Sequence, residues 1–419
     1  MKIAIIGSGI AGLGAAYLLD KNHDIKLFEK NNYIGGHSNT TEISYNGKKI
    51  AVDTGFIVYN EPNYPCLAAL FEELNVKTEK SNMSFSVSID DGRLEYAGTN
   101  LGTVFAQYAN ILKLRFIKML LNILRFNRRA AEILKSDEDI SLGQYLDKLK
   151  MGDYFRRYYL LPMGGAIWSC PVAQMLEFPA QTFIRFFQNH GLLTVAEQPE
   201  WRTVSGGSRE YVKKITANFA DKIALSTPIA CITRQEGKVV VEDIRGNQEI
   251  FDHVVIASHG DQALAMLKNP LPEEKKALAN FKYQKNTAIL HRDSSLMPRR
   301  RKAWSSWNYQ GRKMNMEEPR VSLTYWMNLL QNIDNNYPLF VTMNPLQEIA
   351  AEKIFAEFEY EHPVFDSGTI AAQKNLAAIQ GNGNIWFAGS YFRYGFHEDA
   401  LMSAVNVANL LGAKAGWQG

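Results

Sequence analysis

Residues 2–14 read Lys-Ile-Ala-Ile-Ile-Gly-Ser-Gly-Ile-Ala-Gly-Leu-Gly, an apolar run that ends in a glycine-rich turn. Gly7, Gly9 and Gly12 stand at the spacing of a dinucleotide-binding βαβ unit. In that unit the first glycine permits a tight turn, the second lets the backbone approach a pyrophosphate, and the third lets the helix pack close to the strand. The helix predicted from about Ala11 to Leu19 directs its free N–H groups at that pyrophosphate.

A second apolar run, Ile25–Glu29, ends in an acid about 20 residues after the turn. A carboxylate at this position accepts hydrogen bonds from an adenosine ribose and disfavours a 2′-phosphate. Strand, turn, helix, strand and acid together predict an α/β chain that opens with a Rossmann-like nucleotide-binding unit.

Composition sets wide limits on the function. The chain has 419 residues, enough for more than one domain, and its net charge of +3 gives no indication of a nucleic-acid partner. Cys66, Cys170 and Cys231 form no C-x-x-C pair and no cluster with histidine, so we expect neither a metal site nor a disulfide framework. Residues 3–19 are interpreted as strand, turn and helix, not as a secretory leader, and we expect a cytoplasmic protein.

Turn signals and periodicity organise the middle of the chain. Asn46-Gly47 predicts a hairpin with a type I′ turn, and Asp91-Gly92 predicts a second hairpin. Residues 101–135 and 141–190 have mainly helical patterns. Residues 283–345 alternate aromatic and β-branched residues, which is typical of a sheet.

The later part of the chain returns to short apolar strands. Residues 229–257 predict a three-strand meander whose third strand is Phe251–Ala257. A short buried strand at Ile385–Ala388 leads through a loop into a final helix from about Asp399 to Leu411. Because no linker separates these parts, we expect interleaved domains.

Five segments, in their order along the chain, resemble the flavin-containing amine oxidoreductase superfamily, which includes monoamine oxidases, phytoene desaturases and protoporphyrinogen oxidases. They are the βαβ unit continued through Gly35-Gly36-His37-Ser38, then Val52-Asp53-Thr54-Gly55-Phe56, Ser205-Gly206-Gly207-Ser208, Val254-Val255-Ile256-Ala257-Ser258, and the stretch from Phe387 to Ala404. The resemblance spans most of the chain and implies non-covalently bound FAD.

Three shorter stretches narrow the resemblance. They are Val58-Tyr59-Asn60, the segment from Ala303 to Tyr309, and Gly395-Phe396-His397-Glu398-Asp399. They are similar to bacterial predicted NAD/FAD-binding proteins that are related to the flavoprotein portion of plant cyclopropane fatty-acid synthases. This similarity implies a small-molecule substrate of the lipid class, with an apolar fatty-acyl chain.

The resemblance also implies a domain layout. An FAD-binding Rossmann-like domain of the GR2 type is expected from residues 1–60, 205–285 and 366–419. It is interleaved with an α+β substrate-binding domain formed by residues 61–204 and 286–365.

The implied cofactor contacts follow the five segments and the start of the meander. They are Gly7, Ser8, Gly9, Ala11, Gly12, Glu29, Lys30, Gly35, Gly36, His37, Ser38, Asp53, Thr54, Gly55, Phe56, Gly206, Gly207, Ile229, Ala257, Gly389, Ser390, His397, Glu398, Asp399 and Ala400. Three of them depart from the superfamily: His37 stands where Arg is common, Ser390 where an acid is usual, and Ala400 where the final helix has a glycine.

The loop before the last helix carries the candidate catalytic residues. The resemblance implies that a flavin removes hydride from a C–H bond of the substrate. Phe396 aligns with one wall of the aromatic cage of amine oxidases, and Tyr391, Tyr394 and His397 share its loop. His397 is the candidate for proton transfer or for a hydrogen bond to the flavin. The alternative is that Glu398 anchors His397 and that the pair is structural.

Other functions stay open at this stage. The chain has no second G-x-G-x-x-G unit for a nicotinamide cofactor, so we expect the electrons to come from the substrate. An amine oxidase, a redox-neutral FAD-dependent isomerase of an unsaturated lipid, and a flavin-loaded subunit that assists a lipid methyltransferase are the alternatives.

One segment suggests a membrane surface as a partner. Residues 111–129 carry Lys113, Arg115, Lys118, Arg125, Arg128 and Arg129 among Leu, Ile, Phe and Met, and no acid. A basic amphipathic helix of this kind either lies in a membrane interface or exposes a solvated basic face.

Overall fold

A computed structural model describes residues 1–136, 138–168, 175–189, 191–194, 199–312 and 320–417. The strands are β1 (Lys2–Ile6), β2 (Asp24–Phe28), β3 (Thr40–Tyr45), β4 (Lys48–Asp53), β5 (Thr78–Lys80), β6 (Phe85–Ile89), β7 (Leu94–Ala97), β8 (Arg202–Val204), β9 (Ile223–Ala224), β10 (Ile229–Gln235), β11 (Lys238–Asp243), β12 (Gln248–Phe251), β13 (His253–Ile256), β14 (Lys282–His291), β15 (Trp307–Arg312), β16 (Arg320–Trp326), β17 (Phe340–Met343), β18 (Ile354–Val364) and β19 (Ile385–Phe387).

The α-helices lie between groups of these strands along the chain. They are α1 (Ile10–Leu19), α2 (Pro65–Glu73), α3 (Leu101–Val104), α4 (Leu114–Arg129), α5 (Leu142–Lys148), α6 (Asp153–Phe155), α7 (Leu161–Trp168), α8 (Ala180–Asn189), α9 (Arg209–Thr216), α10 (Gly260–Met266), α11 (Pro272–Leu278), α12 (Met327–Leu330), α13 (Ser367–Gln373) and α14 (His397–Leu410).

A parallel five-stranded sheet contains the N-terminal fingerprint. Its strands lie in the order β19-β13-β1-β2-β9, so the start, the middle and the end of the chain share one sheet. After their first residues, the interior strands β1 and β13 are continuous buried apolar runs, as in other parallel sheets covered by helices. The fold is mixed α/β, and the proposed domain boundaries stay a prediction.

The first and last helices pack against each other beside this sheet. An ideal Cβ at Gly14 on α1 would lie 2.6 Å from Leu401 Cδ1 and 3.6 Å from Ala404 Cβ on α14. Small residues on both helices therefore allow a close approach, which brings the start of α14 toward the glycine turn that precedes α1.

The meander prediction was wrong in its third strand. The antiparallel sheet is β10-β11-β12, and its third strand is Gln248–Phe251. The apolar stretch that follows, His253–Ile256, joins the parallel sheet between β1 and β19. Val254, Val255 and Ile256 are all fully buried, which fits a central parallel strand and not the edge of a meander.

A mixed seven-stranded sheet forms the second large layer. Its order is β18-β14-β17-β16-β15-β6-β7, and the β15–β6 pair is parallel. The sheet predicted within residues 283–345 is confirmed, as are both hairpins: Asn46 and Gly47 have φ of 50° and 79°, as a type I′ turn requires. The largest apolar core joins this sheet to the helices α4 to α8.

The helical prediction for residues 101–135 is confirmed with two breaks. Helix α3 is followed by a 3₁₀ segment, Tyr108–Leu112, then by α4, and a second 3₁₀ segment, Ala130–Lys135, closes the region. Among the residues that the structure describes, none of the helices has the length and apolar character needed to cross a membrane.

Candidate functional site

The glycine turn after β1 has the geometry that its sequence predicts. Gly7 has φ of 103° and donates its N–H to the Phe28 carbonyl at 2.8 Å, which ties the turn to β2. An ideal Cβ at Gly12 would overlap the Gly7 carbonyl oxygen. Because Gly12 has no side chain, α1 can pack close to the strand, and any side chain at this position would push the helix away.

The start of α1 is open. Gly9 is the N-cap of α1, no side chain caps the helix, and its first turn contains no acid. An ideal Cβ at Gly9 meets no atom within 4 Å. The helix N-terminus thus presents uncapped N–H groups and the positive end of its dipole to an open cradle, which fits an anionic phosphate.

Glu29 lies directly beside this turn. One oxygen of its carboxylate accepts the Ser8 backbone N–H at 2.9 Å and the Ser8 hydroxyl at 2.6 Å, and the other accepts the Asn31 N–H at 2.8 Å. The side chain is 5% exposed. A buried carboxylate held in this way accepts further hydrogen bonds from ligand hydroxyls, which fits a ribose.

The segment with the second glycine pair lies against the turn. Gly35 donates its N–H to the Ser8 carbonyl at 3.0 Å, and Gly35 and Gly36 have φ of 112° and 57°. An ideal Cβ at Gly36 would be 3.1 Å from Gly9 Cα. Glycine is required here because the two backbones nearly touch.

Asp53 holds a third loop in place. Its carboxylate accepts the Ser208 N–H at 2.9 Å, the Ser208 hydroxyl at 2.8 Å and the Gln331 amide at 2.9 Å. Burial raises the pKa of Asp53 to about 6. An ideal Cβ at Gly207 would overlap Thr40, so the Gly206-Gly207 pair fits closely over this carboxylate. Asp53 therefore holds the Gly206-Gly207 loop and Gln331 together through backbone and side-chain hydrogen bonds.

His397 joins the two ends of the chain. Its Nε2 atom lies 2.9 Å from the Ser38 hydroxyl and 2.9 Å from the Tyr211 hydroxyl. Its ring stacks on Phe56, with centroids 3.9 Å apart and planes 10° apart. Burial, and to a smaller extent the nearby His37, lower the pKa of His397 to about 3. A group this weakly basic favours the hydrogen-bonding role over the proton-transfer role.

A second group of histidines adjoins this contact. The ring of His37 stacks on Tyr360 at 5.0 Å and lies 5.5 Å from that of His362. Burial lowers the pKa of His37 to about 4 and that of His362 to about 3, so both are neutral at pH 7. The Nε2 atom of His37 is buried and has no hydrogen-bond partner among the described residues, so it is available to a ligand.

Two aromatic residues of the last loop face the large core. Phe396 stacks on Phe186 of α8 at 5.0 Å, and Tyr394 meets the same ring edge-on at 5.9 Å. Both belong to the apolar cluster that includes the seven-stranded sheet. Phe396 and Tyr394 therefore form an apolar boundary between the loop before α14 and that core.

Tyr391 packs away from Phe396, and its catalytic role stays a prediction. Its side chain is 1% exposed, and its ring packs 4.8 Å from that of Phe281 and 5.0 Å from that of Phe392. This cluster covers the parallel sheet together with β10 and β11, whereas Phe396 packs in the other core. Sharing a loop in sequence does not place the two rings together, and Tyr391 is a core residue.

The role suggested for Glu398 as an anchor of His397 is corrected. The Glu398 carboxylate accepts the N–H groups of Cys66 at 2.8 Å and Leu67 at 3.0 Å, at the start of α2. The Asp399 carboxylate accepts the N–H groups of Tyr394 and Phe396 at 3.1 and 2.9 Å. Both acids order the loop through backbone contacts, and burial raises the pKa of Asp399 to about 6.

Some of the remaining predicted cofactor contacts lie at the glycine turn, and others lie farther away. Ala257 lies over Gly7 and Gly12, and the Gly389 N–H is donated to the Ser403 hydroxyl at 2.8 Å. Ile229 packs against the core of the meander. Of the others, Ala11 lies on α1 and Ala400 on α14, Ser390 begins the 3₁₀ turn Ser390–Phe392, and Lys30, Thr54 and Gly55 lie in loops.

The sequence interpretation missed several residues of the site. Five residues of the site have no motif around them. Tyr211 lies on α9, Tyr360 and His362 lie on β18, and Gln331 and His259 lie directly beside α12 and α10. Tyr211 follows Gly206-Gly207 by one helical turn, which is the one signal that pointed to it.

Solved structures support the fold. A CLA-producing fatty acid isomerase from P. acnes superposes with a TM-score of 0.68 at 15% identity, over 98% of this chain and 97% of that one. A single-substitution mutant of putrescine oxidase superposes with a TM-score of 0.71 at 16% identity, over 99% of both chains. At such low identity the likeness shows the fold alone.

Sequence relatives extend the comparison. A 4,4′-diapophytoene desaturase of Staphylococcus aureus is 50% identical over 40 residues, which cover 9% of this chain and 8% of that protein. Curated relatives are matched over less than half of their length. The profile of the family described as flavin containing amine oxidoreductase matches residues 10–301, which is more than half of the chain. With the open glycine cradle and the buried acid beside it, this match shows that the chain belongs to the flavin containing amine oxidoreductase family.

Proposed function

We propose that the chain is an FAD-dependent oxidoreductase that removes hydride from an apolar substrate of the fatty-acyl class. The observation that carries this proposal is the contact of His397 Nε2 with the Ser38 hydroxyl at 2.9 Å. It joins the loop after the glycine turn to the start of the last helix, and these are the two regions from which the family implies the cofactor is held.

The cradle at Gly9 suits a dinucleotide such as FAD. The N-terminus of α1 is open to a diphosphate, and Glu29 lies 2.9 Å from the Ser8 N–H at the same turn. A carboxylate beside the turn suits the unphosphorylated ribose of an adenosine, which FAD has and FMN lacks. We propose non-covalent binding within the layout of interleaved FAD-binding and substrate-binding domains given above.

The proposed substrate class rests on the apolar boundary of the site. Phe396, Tyr394 and Phe186 face the core of the seven-stranded sheet, where an acyl chain is sheltered from water. The similar proteins include a fatty acid isomerase and a 4,4′-diapophytoene desaturase. We propose that this chain acts in the cytoplasm on a lipid-like small molecule.

The chemistry divides between cofactor and protein. A bound flavin supplies the two-electron acceptor for the hydride. The protein excludes water with the rings of Phe396 and Phe56, and His397 fixes Ser38 and Tyr211 by hydrogen bonds. Because the pKa of His397 is about 3, it is neutral at pH 7 and holds these hydroxyls without a charge.

Two other functions have an observation in their favour. The fatty acid isomerase superposes on nearly the whole chain, which supports a redox-neutral isomerisation in which the hydride returns to the substrate. The putrescine oxidase supports amine oxidation. The remaining alternative is a subunit that binds flavin and assists a partner lipid methyltransferase without turning over a substrate itself.

Anaerobic mixing separates these functions. The FAD-loaded protein is mixed with oleate, with linoleate and with putrescine, and the absorbance of oxidised flavin and the products are followed. Lasting loss of absorbance with a fatty acid supports the proposal. Reduction by putrescine alone, or a rearranged double bond without net reduction, would replace it by amine oxidation or by isomerisation. No response to any probe would leave the binding subunit as the better account.

A further inference from the structure

The surface formed by residues 101–128 exposes apolar side chains together with basic ones. Seven large apolar residues in this stretch are at least half exposed: Leu101 (78%), Tyr108 (69%), Ile111 (51%), Leu112 (87%), Leu114 (86%), Leu121 (61%) and Leu124 (55%). Elsewhere in the described chain such residues are scattered singly or in pairs. Exposed apolar surface on this scale indicates an interaction site.

Helix α4 separates two faces. Phe116, Met119 and Phe126 are at most 1% exposed and pack into the large core. The opposite stripe, at spacings of three and four residues, holds Leu114, Lys118, Leu121, Arg125 and Arg128. The helix is therefore anchored by one face and presents leucine and cationic side chains on the other.

The 3₁₀ segment before α4 extends the same surface. Tyr108 is 69% exposed, and the Lys302 ammonium lies 3.3 Å from its hydroxyl and 5.1 Å above its ring. The neighbouring cations in the run 299–302 are engaged elsewhere: Arg300 pairs with Glu95 at 2.8 Å, and Arg301 stacks on Trp304 at 3.6 Å. Lys302 thus adds its charge to the surface.

The charge of this surface is of one sign. Residues 96–131 contain no Asp and no Glu, and they include Lys113, Arg115, Lys118, Arg125, Arg128 and Arg129. A second copy of the chain would bring the same cations against each other across a two-fold axis, which disfavours self-association through this face. Leucine side chains ringed by lysine and arginine complement a surface that is anionic outside and apolar beneath.

We infer that residues 101–128, with Lys302, dock the protein on an anionic lipid bilayer as a peripheral surface. The leucines enter the boundary between headgroups and acyl chains, and the basic side chains lie at the phosphates. This inference does not depend on the proposed reaction, since it concerns adsorption and not turnover.

Flotation with lipid vesicles tests it. The FAD-loaded full chain is mixed with vesicles of phosphatidylcholine alone or with about one third phosphatidylglycerol, and the bound fraction is measured on a density gradient. We expect binding to the anionic vesicles only, and weaker binding when the salt is raised from about 0.1 M to about 0.5 M. Failure to float with the anionic vesicles would overturn the inference.

Variants separate the apolar and the basic contributions. Leu112→Asp with Leu114→Asp should lower the partition coefficient about hundredfold, since each leucine side chain contributes about tenfold. Lys118→Glu with Arg125→Glu should lower it about thirtyfold or more, the factor expected of two cations near an anionic surface. Matched controls, Ile244→Asp with Ile250→Asp and Lys49→Glu with Lys285→Glu, change exposed positions elsewhere and should float like the parent.

Two further measurements distinguish membrane docking from misfolding and from self-association. Leu112→Asp alone changes a residue that is 87% exposed before α4, so it tests the surface if the double variant does not fold. Light scattering on an eluting column gives the oligomeric state. A dimer that Leu112→Asp dissociates would assign the surface to a second copy and overturn the inference, as would equal flotation of the variants and their controls.

Discussion

Replacing Gly9 by alanine separates folding from cofactor binding. Gly9 has φ of −66° and ψ of 176°, a conformation that alanine adopts without strain. An ideal Cβ there meets no atom within 4 Å. Alanine should therefore leave the free energy of unfolding unchanged, or raise it by up to about 1 kcal/mol, because it reduces the freedom of the unfolded chain.

The same methyl group should obstruct the cofactor. A diphosphate at the start of α1 approaches the backbone at position 9, and a Cβ displaces it by about the length of one bond. Loss of one or two charge-assisted hydrogen bonds costs about 2–4 kcal/mol, which weakens FAD binding about 30- to 1000-fold. The change in affinity should thus far exceed the change in stability.

Alanine substitutions at two further glycines serve as control variants for this experiment. Gly98→Ala also adds a methyl group in open space, outside the site, and should change neither property. Gly12→Ala places its methyl group on the Gly7 carbonyl and should lower stability and FAD binding together. The measurements are calorimetric titration of apoprotein with FAD and thermal unfolding. If Gly9→Ala binds FAD as tightly as the parent, the turn does not hold the diphosphate and the reasoning fails.

Three other predictions concern the acid, the bridging histidine and pH. Glu29→Gln should weaken FAD binding at least tenfold, because an amide with one acceptor oxygen replaces a carboxylate whose two oxygens accept hydrogen bonds of 2.6–2.9 Å. An unchanged dissociation constant would show that Glu29 does not bind the cofactor. His397→Phe should keep the stack on Phe56 and the FAD content but slow anaerobic flavin reduction in stopped flow, and an unaltered rate would confine His397 to packing. Stability of the apoprotein should fall between pH 6.5 and 4, because the unfolded chain takes up protons on histidines that stay neutral when folded, and each costs about 2 kcal/mol at pH 5. These are His37 and His291 (pKa about 4 each) and His259, His362 and His397 (pKa about 3 each). Asp53 and Asp399, with pKa values of about 6, take up protons in the folded chain and each add about 1.4 kcal/mol of stability at pH 5, which is less than the histidines remove. The free energy of unfolding is measured by urea titration, and a value that rises on acidification would contradict the burial of the histidines.

The sequence predicted those elements of the site whose conformation is determined by the local backbone alone. The glycine turn, α1 and Glu29 follow from glycine spacing and from a short chain connection, and all are local in sequence. The hairpin at Asn46-Gly47 follows in the same way from residues that adopt positive φ. Such features depend little on distant parts of the chain.

Features that depend on tertiary contacts were not predictable from local pattern. The sequence of Val254–Ile256 is compatible with the last strand of a meander and with a central parallel strand. Only its pairing with β1 and β19 distinguishes the two. Tyr391 and Phe396 share one loop, yet the backbone sends their rings into different cores. Glu398 stands next to His397 in sequence but binds the start of α2.

The central claim is that the front and the back of this chain hold one FAD. The direct measurement is the cofactor content of the purified protein, from its visible spectrum and from chromatography of the molecule released by acid. The account predicts one FAD for each chain, released intact on denaturation. A protein that neither contains nor takes up FAD, or that takes up a nicotinamide dinucleotide in its place, would contradict it.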